Sequence, residues 1–329
     1  MIGRARVAAV AAGLAATALV AGGLWVFVLP GPSSVGPVVL AVREGQRFGA
    51  VADELAELRV VRSAAALTLW ARLAGRDRQV AWGDYLLQPP LTPRTVLDRL
   101  ARPPDPIGLV TIPEGLTTEE VITVLVDRGR GSRSDFEAVL RDPEFLAREG
   151  LPADGAEGYL FPDTYVFPST MTPERIVREM LARFRSRVGS ELLARGAARG
   201  LTPHQVVTLA SLIEEETRLP EERRLVSAVF HNRLRLGMRL QSDPTVLYGR
   251  PSGERRITRA DLARATAHNT YAIAGLPPTP ISNPGLGALE AAVDPAESDA
   301  LYFVARGDGS HEFTATLAAH NAAVARYQR

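Results

Sequence analysis

The chain has no cysteine and no lysine among its 329 residues. Without cysteine there is no thiol nucleophile, no iron–sulfur cluster, no Cys-ligated zinc and no disulfide, and an oxidising compartment is tolerated. Without lysine there is no phosphate-loop lysine and no Schiff base, since all 38 cationic residues are arginine. Histidine is sparse too. The five histidines form no HExxH, and His311 and His320 have no matching ligand cluster, so neither a metal nor another cofactor is expected. No G-x-S-x-G marks a serine hydrolase. A net charge of +1 gives no basic field for a nucleic-acid partner. The 46% hydrophobic content is that of a folded protein, and the length suits two soluble units besides the N-terminus.

The first positional signal is "VAAVAAGLAATALVAGGLWVFVL", residues 7–29, which carries no charge over 23 residues. That is long enough to cross a hydrocarbon core about 30 Å thick as one helix. Arg4 and Arg6 precede it and the next charge is Arg43, which places residues 1–6 in the cytoplasm and the rest outside. The competing reading is a cleaved signal peptide with Ala16-Thr17-Ala18 as its site, but the apolar stretch continues eleven residues beyond it. The expected location is therefore the cytoplasmic membrane, single-pass, with the working part extracytoplasmic. "PGPSSVGP", 30–37, reads as a linker.

Two similar units follow. "VREGQRFGAVADEL" (42–55) and "IPEGLTTEEVITVL" (112–125) each lead from an apolar strand through Glu-Gly into a helix. Between them, "LTPRTVLDRL" starts a helix with Thr92 at N-cap and Pro93 at N1. The expected class is α+β. Residues 38–126 form a small module that looks like a LysM-type glycan-binding repeat, with plain scaffolding as the alternative. Residues 127–154 read as a charged helical connector, and 155–329 as the catalytic part.

In "LTPHQVVTLASLIEEET", Thr202, Pro203 and Gln205 make a capping box, and Leu201 and Val206 a hydrophobic staple. At about 100° per residue, Val206, Leu209, Leu212 and Ile213 mark the inward stripe. Glu216 continues that stripe, Glu214 falls at its margin, and Glu215 points to solvent. An inward carboxylate in the last turn of an apolar helix is desolvated and near the negative end of the helix dipole; both raise its pKa. A glutamate protonated near neutrality is what a general acid needs. The competing reading is a frayed helix end, or Glu216 paired with Arg218, Arg223 or Arg224.

"LASLIEEET", "VFHNRLRLGMRLQSDPTVLYG" (229–249), "HNTYAIAGLPPTPISNPG" (268–285), "LYFVARGDGSHEFTATLAAHN" (301–321) and "EGYLFPDTYVF" (157–167) together resemble the endolytic murein transglycosylase (MltG, YceG-like) family. The resemblance runs from about residue 40 to the end. His231 and His268 depart from it, standing where an apolar and an aromatic residue are expected. The resemblance implies cleavage of the β-1,4 bond between N-acetylmuramic acid and N-acetylglucosamine in nascent strands, giving 1,6-anhydro ends and terminating elongation. It implies peptidoglycan synthases as partners. It also assigns catalysis to the Glu of Glu216-Thr217, in agreement with the helical phase.

The other expected site residues either bind substrate or support the acid. Glu214 and Thr217 are structural neighbours of the acid. Gln241 bonds a sugar or Glu216, while Asp243 either does the same or caps the helix begun by Pro244. Asn269 and Tyr271 lie in a loop suited to an acetamido sugar. Asn232 shares a helix with Arg233, and one or the other is placed to orient a groove. Tyr159, Phe161, Tyr165 and Phe167 are sugar-stacking rings or strand core. Two rival classes remain: a non-enzymatic anchored scaffold in which Glu216 is merely buried, and an ordinary muramidase that leaves reducing ends.

Overall fold

A computed structural model of the chain describes residues 17, 21–23, 25, 28–32, 36–105, 107–250 and 256–328. The stretch expected to span the membrane lies largely outside the described residues. Among those described, no helix is long and apolar enough to cross a membrane. The chain divides into two units, residues 1–109 with 166–171, and residues 110–165 with 172–329.

In the first unit, β1 (Val38–Val42) runs antiparallel to β2 (Gly83–Leu87), with Leu40 opposite Tyr85. Period-two alternation turns Leu40, Val42, Tyr85 and Leu87 to one face. Helices α1 (Phe48–Glu57) and α2 (Ala64–Leu73) connect the strands, and α3 (Pro93–Leu100) follows. α1 contributes Phe48, Val51, Ala52 and Leu55 to the core, at helical spacing. Thr92 caps α3 by accepting from the Thr95 amide, with Pro93 in the first turn, as its sequence predicts. Asp84 is buried, and its carboxylate accepts from the amide and hydroxyl of Ser169 at 3.0 and 2.7 Å.

The second unit begins within a ribbon of β3 (Leu109–Thr111) and β4 (Thr164–Val166), whose terminal residues Leu109 and Val166 fall in the first. Helices α4 (Thr118–Asp127), α5 (Arg133–Arg141) and α6 (Pro143–Arg148) lie between those strands in sequence. Residues 110–126, grouped in sequence with the first module, belong here. The Gly115 amide donates to Asn283 O at 3.0 Å and the Asn283 amide to Leu116 O at 2.8 Å, fastening the second Glu-Gly turn. Next come α7 (Pro173–Arg195), broken at Gly189, then α8 (Pro203–Glu216) and α9 (Arg223–Arg235). Short α10 (Pro244–Leu247) and α11 (Arg259–Ala263) precede α12 (Leu286–Val293). The hairpin β5 (Tyr302–Ala305) and β6 (His311–Thr314) and helix α13 (Leu317–Tyr327) close the chain.

α8 is the centre of this unit. Every residue from Val206 to Ile213 is buried, so the helix is enclosed on all sides rather than along one stripe. Its two buried hydroxyls are satisfied: Thr208 Oγ1 donates to His204 O, and Ser211 Oγ donates to Thr208 O while accepting from the Ile281 amide. The aromatic run 159–167 is core. Phe161, Tyr165 and Phe167 are buried, and the Tyr159 hydroxyl meets His204 Nδ1 at 2.9 Å.

Candidate active site

The capping box at Thr202 and Gln205 forms as the sequence predicts and fixes where α8 starts. The helix runs unbroken to Glu216, and Thr217 leaves it in an extended conformation. The three glutamates at its end go to three different places. Glu214 accepts from the Gly285 amide at 3.0 Å and pairs with Arg223 at 3.4 Å, its side chain only 8% exposed. Arg223 also reaches Glu114 at 3.2 Å, and Arg224 pairs with Asp294. Neither arginine turns to Glu216, which removes those two from the pairing alternative.

Glu216 Oε1 instead accepts from Ser242 Oγ at 2.5 Å. Ser242 is buried and held by its own backbone: its amide donates to Thr270 Oγ1 at 2.9 Å, and its carbonyl accepts from Thr245 Oγ1 at 2.6 Å. Gln241 precedes it with φ 50°, a left-handed conformation uncommon outside glycine. Asp243 opens α10 without capping it. Its carboxylate accepts from the Tyr271 hydroxyl at 2.6 Å, so the capping alternative is set aside. From α9, buried Arg233 is fixed by Nε donating to Leu301 O (2.7 Å) and Nη1 to Leu240 O (2.6 Å). The Tyr302 ring lies 5.3 Å from the guanidinium carbon.

These neighbours set the protonation of Glu216. Burial pushes its carboxyl up to about 7; the Ser242 bond opposes that, the charges of Asp243 and Glu215 add to it, and Arg233 opposes it. Glu215 is exposed, as the helical phase predicts. Even so, burial of its carboxyl beside Ser282 and Gly115 also pushes it to about 7. Burial raises Glu214 as well, opposed by the Gly285 amide and Arg223.

The structure therefore brings together Glu216, Ser242, Asp243, Tyr271 and Arg233, with Gln241 and Thr217 adjacent in the chain. Asn269 does not join them as a sugar contact. It is buried, and its amide nitrogen donates to the carbonyls of Asp261, Leu262 and Arg264 while its oxygen takes the Tyr271 amide. Asn269 thus shapes the loop that presents Tyr271. Asn232 donates to the carbonyls of Ser298 and Ala300, and only its neighbour Arg233 faces Glu216. His231, the first family departure, donates Nε2–H to Ala292 O; His268, the second, meets Thr279 Oγ1.

Sequence reasoning missed Ser242, although it stands between two residues it singled out. It also missed Glu157, which accepts from the Thr118 amide, Asn283 Nδ2 and the Tyr248 hydroxyl. Burial pushes Glu157 up to about 7. Among the described residues, no group of His, Asp and Glu is arranged to hold a metal ion. A cavity of about 740 Å³ lies elsewhere, lined by Arg199, His231, Asn232, Arg235 and Glu297 among others, and includes none of the residues around Glu216.

A profile of the YceG-like family matches residues 40–326. The chain belongs to the YceG-like family. It is 31% identical over 306 residues to the endolytic murein transglycosylase of Bacillus subtilis, covering 88% of this chain and 84% of that one. It is 30% identical over 300 residues to the endolytic murein transglycosylase of Streptococcus pneumoniae, covering 82% of this chain and 54% of that longer protein. A crystal structure of a protein described as YceG-like from Listeria monocytogenes superimposes with a TM-score of 0.60 at 28% identity, over 88% of this chain and 99% of that one.

Proposed function

We propose that this chain is an endolytic murein transglycosylase in which Glu216 serves as acid and then as base. The observation that carries the reading is the Glu216 environment: a carboxyl at the end of a buried helix, held at about 7 and oriented by Ser242. A group with that pKa is largely protonated below neutrality and able to donate. The substrate is the β-1,4 bond between N-acetylmuramic acid and N-acetylglucosamine inside a glycan strand. Glu216 gives its proton to the glycosidic oxygen as the C1–O bond breaks. The muramic C6 hydroxyl then attacks C1 and returns its proton to Glu216. No water is consumed, and the product carries a 1,6-anhydro end. Arg233 faces the carboxylate between the two proton transfers, and the Tyr271–Asp243 pair lies alongside.

A second reading has one observation in its favour. Asp243 lies near Glu216, and a hydrolase uses a second carboxylate to activate water or attack the sugar. That enzyme would leave reducing ends.

Residues 7–29 anchor the chain in the cytoplasmic membrane with the N-terminus inside, supported by their uncharged length and by Arg4 and Arg6. The first unit holds glycan in a LysM-like manner, supported by its β1–α1–α2–β2 order. Peptidoglycan synthases at the extracytoplasmic face of the cytoplasmic membrane are the partners that this placement suits, and termination of strand growth is the outcome. The test is digestion of long uncrosslinked glycan strands followed by chain-length analysis. Endolytic cleavage gives an early fall in mean length with few disaccharides; a scaffold gives no change.

A further inference from the structure

His311, on β6, is a residue that the catalytic proposal does not use. Its backbone amide donates to Glu222 Oε1 at 2.8 Å and its Nδ1 donates to Glu222 Oε2 at 2.6 Å. Both partners are nearly enclosed, with side chains 13% and 10% exposed. Glu222 Oε2 in turn lies 3.5 Å from Thr217 Oγ1. Thr217 is buried, follows Glu216 directly, and accepts from the Leu219 amide at 3.1 Å. Three residues thus lead from the hairpin to the turn that ends α8.

The same hairpin also holds Arg233, which faces Glu216. Leu301, just before β5, gives its carbonyl to Arg233 Nε, and Tyr302 covers the guanidinium. The hairpin is itself seated on α9, where Phe303 meets Phe230 edge-on at 6.2 Å and His311 meets Phe303 edge-on at 5.5 Å. A forked contact through both backbone and ring fixes Glu222 in position and angle, more than a single bond does.

We infer that His311 is a positioning residue for Glu216, acting through Glu222 and Thr217, and that the β5–β6 hairpin is the brace that sets the acid's orientation. The inference rests on the assignment of Glu216 as the acid. A displacement of 1 Å at a reacting group costs on the order of 10²-fold in rate. Losing the brace therefore lowers turnover and leaves substrate affinity alone, because the His311 side chain is nearly enclosed and turned to Glu222. The charges around the acid whose balance would change are Asp243, Glu215 and Arg233, with Tyr271 beside them.

The test uses the full-length protein in detergent and uncrosslinked glycan strands, with kcat, KM and pH–rate profiles for wild type, His311→Ala, His311→Asn and Glu216→Gln. Asparagine retains a donor close to the position of Nδ1. The expected result for His311→Ala is a fall in kcat of about 10- to 100-fold. With it come a KM within about 2-fold of wild type, a displaced alkaline limb and at least partial recovery in His311→Asn. Thermal unfolding of each variant checks that it is folded. Two results overturn the inference: His311→Ala keeping wild-type kcat and pH profile, or a loss expressed as raised KM with no recovery by asparagine. If Glu216→Gln remains active, the acid assignment fails instead, which separates the two outcomes.

Discussion

Ser242 Oγ donates a 2.5 Å hydrogen bond to Glu216 Oε1, joining the α8 terminus to the turn before α10. A donor to a carboxylate favours its ionised form, so this bond restrains a pKa that burial has raised. Ser242→Ala is expected to move the alkaline limb of the pH–rate profile upward. It also frees the carboxyl to rotate, lowering kcat by about 10- to 100-fold. A pH–rate series on glycan strands reads both effects.

Asp243 acts in the opposite sense. Its charge disfavours ionisation of Glu216. Asp243→Asn is therefore expected to lower the Glu216 pKa and shift the alkaline limb toward acid, reducing activity most at neutral pH. An unchanged limb would mean that the two carboxyls are electrically independent.

The stabilising contribution of three glutamates should fall as pH rises through the weakly acidic range, against an opposite contribution from His231, His268 and His320, whose pKa values burial lowers. Glu157, Glu215 and Glu216 titrate near 7 in the folded chain against an ordinary value of 4.5. Between those values these three hold more protons in the native state than in the unfolded state, so their share of the free energy of unfolding decreases with pH. The contribution is present below 4.5 and lost as pH rises through about 7. Glu157→Gln should flatten part of this dependence, measured as urea midpoints at about pH 5 and about pH 8.

Arg223→Ala should cost stability before it affects chemistry. It strips the cation from Glu214, whose side chain is 8% exposed. Breaking a buried pair from one side costs about 3–5 kcal/mol. The check is a lowered denaturation midpoint, with the pH–rate limb of the surviving folded fraction unchanged.

The parts of this architecture that were legible in sequence are those governed by local chemistry. The Thr202–Gln205 box and the Thr92 cap with Pro93 both depend on residues within a few positions of each other. The α8 phase pointed to Glu216, although the helix proves buried on every side and periodicity alone carries less weight than it seemed to offer. What stayed hidden depends on distance along the chain. Ser242 meets Glu216 across 26 positions, and nothing in a lone serine announces such a partner. Asn269 stood with Tyr271 as an amide and an aromatic suited to an acetamido sugar, whereas the carbonyls of Asp261, Leu262 and Arg264 consume its amide nitrogen. Asp243 has the position of a cap, but its backbone is already helical and its carboxylate is turned to Tyr271.

The most direct measurement is mass spectrometry of the products formed from uncrosslinked peptidoglycan by the full-length protein and by Glu216→Gln. The account predicts 1,6-anhydromuramoyl ends from wild type and none from the variant. Reducing muramic ends from wild type would contradict it and mean hydrolysis with a second carboxylate. Anhydro ends persisting in Glu216→Gln would remove the central residue from the mechanism.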